Sequence, residues 1–376
     1  SVDKPESSMA RSTSAVGKYV LYVNDTQYSG DGLKMAASAP EKTDSNETSG
    51  GGKNTESAAT EKKNNTNVPG EIPFETHGKL SVKGTDIVDM NGDKYQLKGV
   101  STHGITWFPD YVNKEAFETL RDDWGANLIR LAMYTDTGDS YGYCSGGDKD
   151  EILALVDKGV SAATELGMYV IVDWHILSDS DPNNHIDDAK EFFDKVSKEY
   201  AAQENVIYEI CNEPNGGTQW SSVKSYAETI IPVIRANDKD ALIIVGTPNW
   251  SQDVDIASQD PITGYDNIMY AVHFYAATHK DDLRNKVKTA LDNGLPVFVS
   301  EFSLCDASGN GGIDYDSSDE WFKLINENNL SYSSWSLCNK NETSALIKSD
   351  STATGSLSDG DLSDTGKYVR DRIMGK

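Results

Sequence analysis

The stretch VIYEICNEPNGG, residues 206–217, changes abruptly from an apolar strand to turn-forming residues, and a carboxylate stands at the change. Its first half is rich in β-branched and aromatic side chains, which is typical of a strand buried on both faces. Asn212, Glu213 and Pro214 mark the point where this strand leaves the core. Charged groups are rarely left in such half-buried places without a partner. Glu213 is therefore a candidate functional residue.

Seven other runs in the chain have the same short, apolar character. In chain order the eight strand-like runs are QLKGVS, NLIRLAMY, YVIVDWH, VIYEICNE, LIIVGT, IMYAVHFY, PVFVSEF and SYSSWSL. Helical patterns lie between most of them, from KEAFETLRDDWG to a final SDTGKYVRDRIM. Eight strands with intervening helices over roughly 280 residues predict an α/β protein with a (β/α)8 (TIM) barrel. The alternative is a doubly wound open sheet, which usually carries a glycine-rich phosphate fingerprint, and no such fingerprint occurs here.

The N-terminal part of the chain differs from the barrel in composition. Residues 37–70 contain no aromatic, Leu, Ile or Met residue and predict a disordered, flexible linker rich in Ser, Thr, Asn and Gly. Residues 1–36 include GKYVLYVNDTQYSGDG, which predicts one strand and a turn, and we interpret this segment as a remnant of a neighbouring domain or a tail. The barrel domain is expected at 71–376, with a hairpin at Asn91-Gly92 near its start. The polar start at Ser1 suggests a removed signal peptide or a fragment.

Composition and charge exclude several classes of partner. The formal net charge of −26 disfavours binding to nucleic acid and to anionic lipid. No apolar run approaches the roughly 18 residues that a membrane span needs. A neutral polysaccharide meets no such repulsion, and 18 Tyr and 7 Trp residues are suited to stacking on sugar rings, although cores also use aromatics. The four cysteines form no CxxC pair, which argues against a metal knuckle, and a Cys305–Cys338 disulfide is one option.

The ends of the predicted strands carry the candidate functional residues, because active groups of a barrel lie at the carboxyl ends of its strands. Almost every run ends in polar or aromatic side chains: Ser101, Thr102 and His103; Arg130 and Tyr134; Asp173, Trp174 and His175; Asn212 and Glu213; Asn249 and Trp250; His273 and Tyr275; Glu301; and Trp335. Glu213 and Glu301 follow strands four and seven, which face each other across a closed barrel. Paired carboxylates of this kind suit the hydrolysis of a glycosidic bond, whereas either glutamate alone could form a structural salt bridge.

Six motifs in order resemble glycoside hydrolase family 5, the (β/α)8 cellulase family, and most of all its bacterial-type endoglucanase branch. They are IRLAMY, VDWHILSDSDPN, VIYEICNEPNG, AVHFYAATH, VFVSEF and WSL. The resemblance extends from about Phe74 to Lys376 and does not cover residues 1–70. It implies that Glu213 is the general acid/base and Glu301 the nucleophile. Arg130 and Tyr275 would contact Glu301 and keep it ionised.

The resemblance also implies roles for residues around the two glutamates. Asn212 would bind the sugar 2-hydroxyl, and His175 and His273 would form hydrogen bonds around the carboxylates and the sugar. Trp335 would form the floor under the sugar, followed by a cis peptide bond. Further positions match residues that line sugar subsites: His103, Tyr134, Trp250, Lys340 and Glu342.

The sequence thus predicts a secreted, extracellular endo-β-1,4-glucanase that acts on cellulose and related β-glucans with retention of configuration. We expect a monomer without a cofactor. The lack of an HExxH or His-x-His pattern argues against a catalytic metal. A serine hydrolase is disfavoured by the lack of G-x-S-x-G. The alternatives are a β-mannanase, xyloglucanase or lichenase of the same family, and a non-catalytic carbohydrate-binding barrel.

Overall fold

The computed structural model describes residues 69–376, together with the backbone of two strands nearer the N-terminus. These are β1 (Tyr19–Val23) and β2 (Thr26–Gly30), which pair antiparallel, with Tyr19 opposite Gly30. The sequence predicted one strand and a turn here; β1 confirms the strand, and the polar run TQYSG forms a second strand that was not predicted. The remainder of 1–36, and the predicted linker 37–70 up to residue 68, lie outside the described residues.

Eight parallel strands close into a barrel, which confirms the predicted fold class. Each strand pairs with its neighbours in chain order, and the last strand pairs with the first. The strands are β5 (Lys98–Thr102), β6 (Leu128–Tyr134), β7 (Tyr169–His175), β8 (Val206–Glu209), β9 (Leu242–Val245), β10 (Ile268–Tyr275), β11 (Val297–Ser303) and β12 (Tyr332–Leu337). The open sheet considered as an alternative is excluded, because the pairing of β12 with β5 leaves no free edge.

Helices follow most of the barrel strands and cover the outside of the barrel. In the described part of the chain they are α1 (Pro73–His77), α2 (Lys114–Thr119), α3 (Lys149–Glu165), α4 (Ile186–Glu199), α5 (Trp220–Asn237), α6 (Pro248–Ser251), α7 (Val254–Gln259), α8 (Asp281–Asp292), α9 (Tyr315–Glu327) and α10 (Asp364–Ile373). Several of these helices begin at a residue whose side chain caps the first backbone N–H groups. Asp148, for example, accepts hydrogen bonds from the backbone N–H groups of Asp150 and Glu151 at the start of α3. Among the described residues, no helix combines the length and apolar character needed to span a bilayer.

A small hairpin lies ahead of the barrel, and its turn differs from the predicted one. Strands β3 (Ser81–Lys83) and β4 (Asp86–Val88) pair antiparallel around Gly84, whose φ of +64° lies in the left-handed region. The predicted Asn91-Gly92 turn does form, with Gly92 at φ +82°, but only one bridge, Val88 to Lys94, joins its arms. The sequence prediction placed the hairpin one turn too late.

Side chains that point into the barrel are arranged in layers along the strands. An apolar layer near the amino ends includes Leu128, Ile171 and Ile207. Because side chains alternate across a strand, the residues two positions later point the same way. These are Arg130, Asp173 and Glu209, all fully buried. The chain therefore places a charged layer directly above an apolar one, at the level where the strands open toward the cavity described below.

All four cysteines carry free thiols. The Cys305–Cys338 disulfide that the sequence allowed does not form. Cys211, Cys305 and Cys338 are buried, whereas Cys144 is partly exposed in the loop after β6.

Candidate active site

A cavity of about 1020 Å³ opens at the carboxyl ends of the barrel strands. Eleven of the thirteen predicted site residues line it: His103, Tyr134, His175, Glu213, Trp250, His273, Tyr275, Glu301, Trp335, Lys340 and Glu342. The other two, Arg130 and Asn212, are buried and hydrogen-bond to each other. The carboxyl ends of the barrel strands therefore bring together residues that are far apart in the sequence, as predicted.

Glu213 and Glu301 face each other in this cavity. Glu213 follows β8, and Glu301 lies in β11. A carboxylate oxygen of each, together with a ring nitrogen of His273, falls within a group whose atoms all lie within 4.8 Å of one another. Both glutamates are nearly buried, at 9% and 4% exposure, so their partners decide their charge.

Glu301 is surrounded by donors. Tyr275 donates its hydroxyl to Oε1 at 2.8 Å, and Arg130 donates Nη1–H to Oε2 at 3.1 Å. Burial raises the pKa of Glu301, but the charges of His273 and Arg130 and the Tyr275 hydrogen bond outweigh it. The pKa is therefore below its usual value, and Glu301 is an ionised carboxylate.

Glu213 has one close donor, His273, whose Nδ1 lies 2.8 Å from Oε1. Burial raises the pKa of Glu213, the negative charge of Glu301 raises it further, and the hydrogen bond from His273 only partly offsets both. The two glutamates thus have pKa values shifted in opposite directions, which is the condition for one to act as an acid while the other is charged.

Arg130 is held by three further buried acceptors, of which Glu209 was not among the candidate residues. Its Nε donates to Glu209 Oε2 at 2.7 Å, and its Nη2 contacts Asp173 Oδ2 at 3.0 Å and Asn212 Oδ1 at 2.6 Å. With Glu301 on Nη1, every nitrogen of the guanidinium is engaged. Glu209 could have been found by the reasoning used for Glu213, since a charge inside the apolar run VIYEI needs a buried partner.

His273 connects this buried layer to Glu213. Its Nε2 lies 2.9 Å from Ser300 Oγ and 3.8 Å from Glu209 Oε1, and Ser300 in turn donates to Glu209 at 2.7 Å. Burial lowers the pKa of His273, but the carboxylates of Glu209 and Glu213 outweigh this and raise it to about 9. His273 is therefore an imidazolium at neutral pH. Burial raises the pKa of Glu209, yet Arg130 and His273 bring it down to about 2.

The other two predicted histidines of the cavity are neutral. Burial, with the Arg130 charge adding to it, lowers the pKa of His175 to about 3, and its Nδ1 lies 2.5 Å from Asp173 Oδ2. Burial and the charge of Lys340 lower the pKa of His103 to about 3. Asp173 occupies Nδ1 of His175, and Nδ1 of His103 accepts the backbone N–H of Gly104 at 2.7 Å, so Nε2 is the nitrogen of His175 that is left for a sugar hydroxyl.

Aromatic rings form the walls of the cavity. The ring centroid of Trp335 lies 5.3 Å from that of His175 and 4.9 Å from that of His103. The Trp335–Ser336 peptide bond is cis, as predicted. Trp107 also lines the cavity and packs edge-on against Tyr134, with 4.7 Å between the ring centroids. The rings leave a groove with apolar faces and polar ends, which suits a sugar.

The outer part of the cavity carries Trp250, Lys340 and Glu342. Trp250 is 45% exposed and lies in a left-handed turn at φ +57°, fixed by a hydrogen bond from its backbone N–H to Pro214 O at 2.9 Å. The Nζ of Lys340 lies 2.7 Å from Glu342 Oε2. The Asn-Glu-Pro segment thus supports the loop that presents Trp250.

A closed (β/α)8 barrel with two glutamates facing each other at its carboxyl-terminal mouth, their pKa values shifted in opposite directions, is typical of the class of glycoside hydrolases. Residues 88–341 match the family model described as Cellulase (glycosyl hydrolase family 5). This chain belongs to glycoside hydrolase family 5.

Relatives and solved structures show the same likeness. The chain is 48% identical over 299 residues to "Endoglucanase" of Clostridium saccharobutylicum, covering 79% of this chain and 65% of that protein. It is 45% identical over 321 residues to "Endoglucanase A" of Butyrivibrio fibrisolvens, covering 85% and 74%. The catalytic domain of Thermobifida fusca endoglucanase Cel5A superposes with a TM-score of 0.75 at 38% identity, covering 80% of this chain and 99% of that one. The chain thus spans about two thirds to three quarters of these two curated relatives.

Proposed function

We propose that this chain is an endo-acting β-1,4-glucanase that hydrolyses cellulose and related β-glucans with retention of configuration. The observation that carries the proposal is the pair Glu213 and Glu301, with oxygens within 4.8 Å and pKa values shifted apart. Retaining enzymes hold their carboxyl groups about 5–5.5 Å apart, whereas inverting enzymes need about 6.5–9.5 Å to admit a water molecule. The short separation favours direct attack by a carboxylate.

In the first step, Glu301 attacks the anomeric carbon while Glu213 gives its proton to the leaving glycosidic oxygen. The carbon–oxygen bond to the leaving sugar breaks, and a covalent ester to Glu301 forms. Esterification removes the negative charge of Glu301, so the pKa of Glu213 falls and Glu213 becomes a base. In the second step, Glu213 takes a proton from water, the hydroxide attacks the anomeric carbon, and Glu301 leaves as a carboxylate.

The neighbouring residues support these two steps in the proposal. Arg130 and Tyr275 keep Glu301 ionised and oriented, and their contacts of 3.1 and 2.8 Å support that role. His273 orients Glu213 through Nδ1. Asn212 is placed for the sugar 2-hydroxyl only by resemblance, since its Oδ1 accepts from Arg130 and its Nδ2 donates to Ile176 O at 3.0 Å.

The remaining predicted residues would bind the polysaccharide. Trp335 would stack under the sugar at the cleavage point, and His175 would meet its hydroxyls. Subsites on either side would use the outer cavity residues His103, Tyr134, Trp250, Lys340 and Glu342. The names of the relatives, endoglucanases at 45% and 48% identity, support a β-glucan as the substrate.

We further propose that the protein acts outside the cell as a monomer and that 71–376 is the catalytic domain. A polymer such as cellulose cannot cross a membrane, so its hydrolysis takes place where the polymer is. Every residue that lines the cavity lies between His103 and Glu342, which supports the domain boundary. The net charge of −26 argues against nucleic acid and anionic membranes as partners.

Release of reducing sugar from carboxymethylcellulose, lichenan, glucomannan and xyloglucan tests the proposal. We expect the highest rate on the β-glucans, with viscosity falling early relative to the number of new reducing ends, as internal cleavage requires. Faster cleavage of glucomannan or xyloglucan would replace the proposal by a mannanase or a xyloglucanase. Binding without cleavage of any of the four polymers would leave a carbohydrate-binding barrel.

A further inference from the structure

A second group of metal-ligating side chains lies outside the catalytic cavity. Cys144 belongs to the loop after β6, His185 ends the 3-10 turn Pro182–His185, and Asp188 lies in the first turn of α4. One ligand atom from each of the three falls within 4.8 Å of the others. None of the three lines the cavity that holds Glu213 and Glu301.

The two nitrogens of His185 face different carboxylates. Nδ1 lies 3.8 Å from Asp188 Oδ2, and Nε2 lies 3.3 Å from Asp136 Oδ2. Histidines that bind metals usually donate their second ring N–H to a carboxylate or carbonyl, which fixes the tautomer and the ring. Asp136 is placed to accept that hydrogen bond, which leaves the lone pair of Nδ1 directed toward Asp188 and the thiol.

Asp188 is oriented in the same way. Lys149 Nζ binds its Oδ1 at 2.6 Å and lies 4.7 Å from the centre of the Tyr143 ring, so the lysine is itself held in place. The ammonium thus occupies one carboxylate oxygen and leaves Oδ2 facing His185. Both the imidazole and the carboxylate are fixed by outer partners and present one free ligand atom each.

We propose that Cys144 Sγ, His185 Nδ1 and Asp188 Oδ2 bind one zinc ion, with solvent at the fourth position. With bond lengths near 2.0–2.3 Å, tetrahedral zinc sets such ligand atoms roughly 3.4–3.6 Å apart, and the observed 3.8 Å between Nδ1 and Oδ2 is close to this. A thiolate and an imidazole select zinc over calcium or magnesium, which prefer oxygen ligands.

The charges around the three ligands also suit a divalent cation. The carboxylates of Asp188 and Asp136 lie on either side of His185, and the Lys149 ammonium binds Asp188. Zinc would displace the thiol proton to solvent and bind the thiolate. The two charges of the ion then balance the Cys144 thiolate and the Asp188 carboxylate.

The zinc ion would fasten the loop after β6 to α4. The same loop carries Tyr141, whose ring stacks on that of Trp107 with 5.5 Å between the ring centroids. Trp107 in turn lines the catalytic cavity. A ligand that binds only the folded state raises stability by mass action. The role of the ion is structural, and it does not depend on the proposed reaction of Glu213 and Glu301.

Cobalt(II) titration of the full chain, after dialysis against a chelator, tests the site through the thiolate-to-cobalt absorption band. We expect one equivalent of cobalt to produce the band, zinc to abolish it, and zinc to raise the melting temperature. Cys144→Ser should remove the band, and Asp136→Asn should weaken binding about 10–100-fold, as loss of an outer-shell partner does. His77→Gln, which alters a histidine elsewhere, should change nothing.

The absence of the band from the wild-type chain would overturn the proposal whatever the variants do. So would a band that persists in Cys144→Ser or in His185→Gln. Among the described residues the other group able to hold a metal is Glu213, His273 and Glu301. That group contains no thiol and cannot produce the band, so failure of this site and failure of the catalytic assignment are separable.

Discussion

Nδ1 of His273 lies 2.8 Å from Oε1 of Glu213, while Nε2 of the same ring lies above the buried carboxylate of Glu209 at 3.8 Å. The ring therefore connects the proposed acid to the charged layer beneath the cavity. Because the two carboxylates raise the pKa of His273 to about 9, a positive charge stands beside Glu213 and Glu301 at neutral pH. That charge lowers the pKa of Glu213 and of Glu301 alike.

We predict that kcat/KM has a bell-shaped pH profile and that both limbs of this profile shift to higher pH in His273→Ala. The active form has Glu301 ionised, with its pKa lowered by His273 and Arg130, and Glu213 protonated, with its pKa raised by burial and by Glu301. Activity is therefore lost below the first value and above the second. Removing the imidazolium raises both pKa values, so both limbs shift to higher pH.

The matched variant for this profile is His77→Ala, which removes a histidine outside the cavity. Its limbs should coincide with those of the wild type. Limbs that stay in place in His273→Ala, or that move downward, would mean that the ring does not carry the charge assigned to it.

Glu301→Gln should lower kcat by roughly four orders of magnitude or more, since it removes the attacking group. The amide has the same shape and can keep hydrogen bonds with Arg130 and Tyr275, so we expect cello-oligosaccharide binding to change little. Calorimetric binding and steady-state rates measure the two effects separately. Glu228→Gln, an exposed change on α5, is the matched control, and comparable activity in Glu301→Gln would refute the nucleophile assignment.

Trp335→Ala should lower kcat/KM about tenfold or more, because an aromatic contact worth roughly 1.5 kcal/mol corresponds to about a tenfold change. Trp250→Ala, at the exposed rim, should act mainly on long substrates. Rates on cellotriose and on carboxymethylcellulose, with melting temperatures for both variants, separate these effects. An unchanged rate in Trp335→Ala with a large drop in melting temperature would assign Trp335 to packing.

Residues 37–70 should be the first site of cleavage in limited proteolysis, because their composition offers too little apolar surface to bury. We expect trypsin to act at Lys53, Lys62 or Lys63 and to leave a fragment that keeps full activity on carboxymethylcellulose. Mass spectrometry of the fragment locates the cut. Activity lost in step with cleavage would show that the N-terminal part belongs to the catalytic unit.

The periodicity of the sequence was sufficient for the barrel because its strands are buried on both faces. β7 and β10 match the predicted runs residue for residue, since YVIVDWH and IMYAVHFY are strand up to the last ring that faces the cavity. β8 ends at Glu209, four residues earlier than predicted. Ile210 and Cys211 follow the last paired residue of β8 and are still buried. The sequence therefore stays apolar beyond the end of the strand.

Candidate site residues at the carboxyl ends of the strands could be predicted from the sequence. Residues that lie deeper in the barrel could not. Glu213 and Glu301 follow from their positions at strand ends. Glu209 and Ser300 lie one layer lower, and only the three-dimensional register shows that both meet His273. The resemblance implied that Glu301 is ionised through Arg130 and Tyr275, and the structure supplies the distances across the barrel on which this depends.

The product that Glu213→Ala forms in the presence of azide tests the central claim most directly. Without its acid, the variant should cleave poor leaving groups slowest and still form the glycosyl ester of Glu301 from an activated aryl cellobioside. Azide then attacks that ester from the opposite face. The account predicts a β-glycosyl azide, identified by nuclear magnetic resonance, together with a rise in rate; an α-glycosyl azide would contradict the covalent intermediate on Glu301 and the retaining mechanism with it.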